Sequence, residues 1–209
     1  MTTEYKKLFL PLKVGKLTLK NRIVFLPMSM SYSEDGLPTD KLAAFIEARA
    51  RGGAGMIITE SQIVHPTGVY KHWNTHAYDD RCIPGLRLLA ESCHRHDVPL
   101  IGHLAHMGLQ MTYRASLLPL LAPSVLFRQG VRQIPKEMEQ DDIKELVDSF
   151  AQAAVRNKQA GLDGVEIHSA HGHLICEFLS PLTNLRTDSY GGSLENRMRF
   201  PMEILQAIR

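Results

Sequence analysis

The sequence predicts a parallel α/β fold that curves toward a barrel, and three observations carry that prediction. An apolar strand followed by an amphipathic helix recurs about four times along the 209 residues, the pattern of a parallel sheet with helices on its face. The strand segments RIVFLP, GMIITES, PLIGHLAH and DGVEIH are nearly continuous in apolar residues, as strands covered on both faces must be. Every one of these strands ends in polar side chains: Ser29, then Glu60 with Ser61, then His103 with His106, then His168 with His171. In (β/α)8 barrels the chemistry sits at the C-terminal strand ends, whereas an open dinucleotide-binding sheet carries a glycine-rich turn after its first strand, and none is present here. The expected architecture is therefore a TIM-barrel type half barrel preceded by a small β-hairpin.

Each element can be justified in order. LFLPLKVGKLTLK alternates apolar and polar residues about Val14-Gly15, which predicts the hairpin over 8–20. A strand over about 22–27 ends at Pro27. Thr39 can cap a helix with Leu42, Ala43, Phe45 and Ile46 on one face, and Gly52-Gly53 stops it. A strand over 55–61 is followed by a helix from Asp80 to near Asp97, whose apolar face is Leu86, Leu89 and Ala90. The third strand spans 99–106. An irregular stretch with Pro119, Pro123, Gly130 and Pro135 is too long for a mere connector and is expected to face the substrate. A helix over about 140–160 carries Ile143, Leu146, Val147, Phe150 and Ala154 and ends at Gly161. The fourth strand is 163–168. A last helix opens at Ser193 with Glu195 in its first turn.

Composition narrows the function. Hydrophobic residues make up 44%, and 24 basic against 22 acidic residues leave a formal charge of +2. No basic stripe with interleaved aromatics suggests nucleic acid, no apolar run is long enough to span a membrane, and the N-terminus lacks the core of a signal peptide. Cys82, Cys93 and Cys176 form no C-x-x-C pair and fit a reducing compartment as buried or half-buried thiols. A soluble cytoplasmic protein is expected.

The segment VEIHSAHGH places His168, His171 and His173 directly after a buried strand. Three readings compete: a metal site, a hydrogen-bonding site for an anionic intermediate, and ordinary loop polarity. Two imidazoles fixed on a strand end and its first turn can converge on one oxygen, where N–H donors stabilise a developing negative charge. Glu60, at the end of an apolar strand, reads as a brace for a loop or helix. Arg186, Asp188, Glu195, Asn196 and Arg197 read as structural, tying down the last loop and capping the helix after it.

Read together, LFLPLKVGKLTLKNRIVFLPMSM, GMIITES, LIGHLAHMG and GVEIHSAHGHLICEFLSPLTNLRTDSYGGSLENRMRF resemble the Old Yellow Enzyme family of FMN-dependent ene-reductases, including its 2,4-dienoyl-CoA reductase-like branch. The last block is the specific one, an H-x-x-H followed by N-x-R-T-D-x-Y-G-G-S-x-E-N-R. The resemblance implies that residues 1–209 are the N-terminal part of an FMN-binding TIM-barrel domain. It implies hydride transfer from NADH or NADPH through FMN to the activated C=C of an enone or dienoyl substrate. Pro27, Met28 and Ser29 would lie against the flavin, with Ser61 and His103 lining it. His168 and His171 would hold the substrate carbonyl, His173 would stand where the family usually has a proton-donating tyrosine, and Tyr32 lies one residue from the family's substrate tyrosine. No metal is assigned in this reading. An iron–sulfur cluster and FAD would belong to domains of longer relatives.

A full barrel needs about 250 residues and eight strands. The expected partners are therefore a small-molecule substrate together with a second copy or a separate second half. The flavin-phosphate loops and a basic residue near the flavin would come from strands beyond these. Two other functions stand beside the flavin one: a zinc-dependent hydrolase using His168, His171 and His173, with His103 nearby, and a catalytically empty half barrel.

Overall fold

The computed structural model describes residues 5–110, 115–126 and 133–209. The hairpin forms from β1 (Leu12–Val14) and β2 (Leu17–Leu19), paired antiparallel across Gly15, whose φ of +57° suits a residue without a Cβ. The main sheet is parallel and contains β3 (Val24–Phe25), β4 (Met56–Ile63), β6 (Leu100–Ala105) and β9 (Gly164–Ile167) in that spatial order, with the short β5 (Thr75–His76) on β4. The helices α1 (Asp40–Arg51), α2 (Cys82–His94) and α3 (Gln140–Ala160) alternate with the strands, and α4 (Leu174–Leu179) and α5 (Leu194–Ile208) follow β9. Four β/α units in parallel order form the expected partial barrel.

Local chemistry sets the boundaries. Thr39 Oγ1 accepts the Leu42 N–H at the start of α1, and Ser193 Oγ accepts the Asn196 N–H at the start of α5. α3 opens on a reciprocal capping box in which the Glu139 N–H donates to Asp142 Oδ2 at 2.7 Å, and it closes at Gly161 with φ +88°. The strand expected at 22–27 shrinks to two ladder residues. Asn21 takes the Ile23 N–H on its own side chain, and Pro27 has no N–H to give. The helix expected from Asp80 starts instead at Cys82, because the Asp79 carboxylate holds the Arg81 N–H and guanidinium in a preceding turn. The irregular stretch contains a short parallel pair, β7 (Leu121–Ala122) with β8 (Lys136–Glu137); its Gly130 lies outside the described residues.

Two clusters form the core on the helical side of the sheet. Leu42, Ile46, Ile57, Leu86, Leu89 and Leu100 join α1 and α2 to the strands. Leu104, Leu146, Phe150, Phe178, Phe200 and Ile204 join α3, α4 and α5 to β6, with the rings of Phe178 and Phe200 4.4 Å apart. Cys82 and Cys93 are buried free thiols and Cys176 is half-buried. Among the described residues no helix is long and apolar enough to cross a membrane.

One irregularity prepares the site. The β4–β6 register shifts between Ile58 and Ser61, so that Thr59 and Glu60 together face Gly102. Thr59 Oγ1 accepts the His103 N–H at 3.0 Å and so repairs the ladder where the bulge interrupts it. The bulge sets Ser61, rather than Glu60, beside His103, and His103 in turn pairs with Glu166 on β9. In-register residues of a parallel sheet point to the same face, so Ser61, His103 and Glu166 form a polar row there. The alternate residues Gln62 and Leu104 turn to the helices, where Asn157 of α3 donates to Gln62 Oε1 at 2.7 Å.

Candidate active site

The site lies at the C-terminal ends of β3, β4, β6 and β9. His168 continues β9 by donating its N–H to the Leu104 carbonyl at 2.9 Å. The chain then turns sharply through His171 and Gly172, both left-handed at φ +58° and +68°, and a Cβ at Gly172 would approach Gln110 Nε2 to 2.6 Å. His173 becomes the residue before α4, and the Leu174 N–H donates to the His106 carbonyl, docking α4 onto the end of β6. This turn folds three local histidines back onto a fourth. The His168 ring lies 4.6 Å from that of His103, 5.2 Å from His171 and 4.7 Å from His173.

Each imidazole is held differently. His103 Nδ1 meets Glu166 Oε1 at 2.6 Å, and burial still pulls the His103 pKa below its ordinary value against that carboxylate. His168 is buried among other histidines, and its pKa is pushed down to about 3, first by desolvation and then by their positive charge. It is neutral at physiological pH. His173 Nδ1 faces the Met107 carbonyl at 3.2 Å, and burial lowers its pKa as well. His171 is exposed and its Nδ1 stands 3.4 Å from His168 Nε2. His106 belongs to the wall: its Nε2 is 2.9 Å from Thr67 Oγ1, its Nδ1 accepts the Gly108 N–H, and full burial drives its pKa to about 3.

The first strand end supplies the opposite character. Leu26 and Met28 are 65% and 56% exposed and present an apolar surface at the strand terminus. Ser29 Oγ accepts from Asn74 Nδ2 at 3.1 Å and from the Tyr70 hydroxyl at 3.4 Å, and buried Asn74 Oδ1 has no partner among the described residues. The loop is tied to β4 by Glu60, which accepts the Met30 N–H at 2.9 Å and the Ser33 hydroxyl at 3.2 Å. Glu60 is thus the loop brace its position suggests. Exposed Leu26 and Met28 with the Ser29 hydroxyl at one strand end, and Ser61 in register with His103 at the ends of β4 and β6, suit a planar heterocycle with a polar rim, so these residues fit a flavin ring.

The structure therefore brings together His103, His168, His171 and His173, places Ser61 beside them, and puts Pro27, Met28 and Ser29 at the neighbouring strand end. Tyr32 does not join them. Ser31 has φ +58° and turns the chain, so the Tyr32 ring packs edge-on against Phe45 of α1 at 5.8 Å, with Lys41 Nζ 4.1 Å from its centroid. Glu166 and Asn74 were missed from sequence. Glu166 is identified only by its register with His103, and Asn74 only by the fold of a loop 45 residues from Ser29. The Arg186 reading holds: its guanidinium grips Asp188 and donates to the carbonyls of Pro123 and Met138, while Asn196 Nδ2 and Arg197 Nε donate to the carbonyls of Gly191 and Leu179.

Comparison with known proteins places this geometry. The family model described as NADH:flavin oxidoreductase / NADH oxidase matches residues 7–209. The chain belongs to that family. It is 42% identical to a metal reductase of Desulforamulus reducens over 97% of its own length and 30% of the relative's. It is 41% identical to an NADPH dehydrogenase of Bacillus subtilis, covering 98% of this chain and 60% of that one. Among solved structures, morphinone reductase in complex with tetrahydroNAD superposes with a TM-score of 0.91 at 32% identity, over 96% of this chain and 60% of that one. The Old Yellow Enzyme homologue of Zymomonas mobilis gives 0.91 at 29% identity, over 97% and 59%. The chain thus spans between about a third and three fifths of the length of these relatives.

Proposed function

We propose that this chain supplies the substrate-binding histidines and one wall of the flavin site of an NAD(P)H-dependent ene-reductase acting on enones or dienoyl compounds. The observation that carries the reading is the convergence of His168 and His171, whose facing nitrogens are 3.4 Å apart, beside a flavin-suited strand end. FMN, when bound, supplies hydride received from the nicotinamide coenzyme.

Pro27 and Met28 would exclude water from one side of the ring, and Ser29, Ser61 and His103 would bond its polar edge. His168 and His171 would each donate an N–H to the substrate carbonyl oxygen. A neutral imidazole suits His168, because it donates a hydrogen bond to the growing oxyanion without first giving up a proton. His173 can pass a proton to carbon only from its charged form, which its lowered pKa makes scarce at neutral pH, so any contribution it makes grows as pH falls.

The test is the visible absorbance of the purified chain after incubation with FMN and desalting, followed by NADPH-dependent reduction of a simple cyclic enone. Retained flavin and a fall in kcat on the order of 100-fold in His168→Ala support the reading. A folded chain that retains no flavin sinks it for this chain alone and leaves the empty half barrel. The family match to NADH:flavin oxidoreductases supports the flavin reading over the zinc-hydrolase one.

A further inference from the structure

We propose that His168, His171 and His173 form a binding site for one divalent transition-metal ion of the zinc class. This goes beyond the flavin reading and does not depend on it, because the ion can be offered to the flavin-free chain.

One ring nitrogen from each of the three histidines lies within 4.8 Å of the other two. Within this cluster His171 Nδ1 stands 3.4 Å from His168 Nε2. Two imidazole nitrogens bound to one tetrahedral zinc, each at about 2.0–2.1 Å from the ion, stand about 3.4 Å apart, so these two already have the spacing of a coordinated pair. The third ligand is oriented from outside the cluster. His173 Nδ1 is 3.2 Å from the Met107 carbonyl, which accepts but cannot donate, so the proton sits on Nδ1 and Nε2 keeps a lone pair. A backbone carbonyl holding the far ring nitrogen is how metal-binding histidines are commonly fixed in tautomer and direction.

The donor set selects the ion. Three imidazoles without a carboxylate or thiolate among them suit zinc, cobalt, nickel or copper and are poor partners for magnesium or calcium. Three protein ligands leave a coordination position open. His103 on β6, its ring 4.6 Å from that of His168 and its Nδ1 held by Glu166, is a polar neighbour of the cluster. Because the ion would use the nitrogens that otherwise hold a substrate carbonyl, metal and enone should exclude one another.

The experiment uses the tag-free chain, stripped with chelator and desalted, and titrates Zn2+ in competition with a chromophoric chelator. The expected result is one tight equivalent per chain. His171→Asn removes a ligand at an exposed, left-handed position that asparagine tolerates, so the fold should survive; His173→Phe removes another, and circular dichroism checks both. Each should weaken binding by more than the roughly 10–100-fold that follows loss of an outer-shell partner. His94→Gln, a surface histidine paired with Asp163, should leave the affinity unchanged. Absence of a tight equivalent, or equal affinity in wild type, His171→Asn and His173→Phe, would overturn the proposal. Loss of flavin binding would not, because the titration contains no flavin.

Discussion

Glu60 shows how a single side chain connects burial to the site. Its carboxylate is 3% exposed and accepts the Met30 N–H and the Ser33 hydroxyl, so it anchors the loop that carries Pro27, Met28 and Ser29. Desolvation raises its pKa above the ordinary 4.5, and these hydrogen bonds only partly oppose the rise. The folded chain therefore holds this proton more tightly than the unfolded chain, and raising pH from 4.5 through the folded value lowers the stability of the wild type. Glu60→Gln lacks that titration. Its stability relative to wild type should climb across this window and then level off, as read by thermal melting at a series of pH values. A pH-independent difference would contradict the account. Glu60→Ala should cost about 1–3 kcal/mol by leaving the Met30 N–H without its acceptor, while the Ser33 hydroxyl keeps Thr75 Oγ1 as a partner. The bracing role of Glu60 was legible because a carboxylate ending an apolar strand needs partners. The His103–Glu166 pair was not, because nothing local in the sequence fixes the register of β6 against β9.

The strand β6 and the helix α3 meet through a contact that leaves no room for a side chain. A Cβ added at Gly102 would stand 2.0 Å from Asn157 Oδ1, while Asn157 Nδ2 donates to Gln62 Oε1 at 2.7 Å and to the Ala153 carbonyl. Gly102→Ala should therefore destabilise by about 1–3 kcal/mol through overpacking. Asn157→Ala should destabilise separately by orphaning Gln62 Oε1, while Gln62 Nε2 keeps its bond to Thr59 Oγ1. The double variant should lose less than the sum of the two, since the methyl then occupies the space that Asn157 vacates; urea-unfolding midpoints of the four proteins measure the coupling. Strict additivity would show that the two residues do not meet. Elements fixed by their own caps were readable in the sequence, as Thr39, Gly161 and Ser193 show. Those that depend on distant partners were not: β5, β7 and β8 are two residues each and exist only through the strands they pair with, and α4 is six residues docked on β6. The β4 bulge that sets Ser61 beside His103 likewise has no local signal.

Among the described residues the main sheet ends with β3 and β9 each paired on one side only. β9 is half-buried along its whole length although its sequence, GVEI, is that of an interior strand. Val165, Ile167, Pro201, Leu205 and Ile208 line a groove between β9 and α5, and Leu194, Met198, Met202 and Leu205 of α5 are 39–60% exposed. An apolar strand edge next to an apolar helix face is the surface on which another β/α unit would continue the sheet. This chain covers 60% of the Bacillus subtilis relative, and the remaining segment of that relative is the one to test against this edge. When the chain is co-expressed with a separate polypeptide corresponding to that segment, the two should co-purify and retain more FMN than this chain alone. Charged substitutions on the helix face, Met198→Lys with Met202→Lys, should break the pair while leaving the His168–His171–His173 cluster in place, because no α5 residue takes part in that cluster. Zinc titration of the same variants then separates the two levels of organisation. If pairing is lost and metal binding persists, the histidine site is local to the β9–α4 turn and only the flavin site needs the larger barrel. If both soluble polypeptides fail to associate even without the lysines, the open edge is not the surface on which the sheet continues.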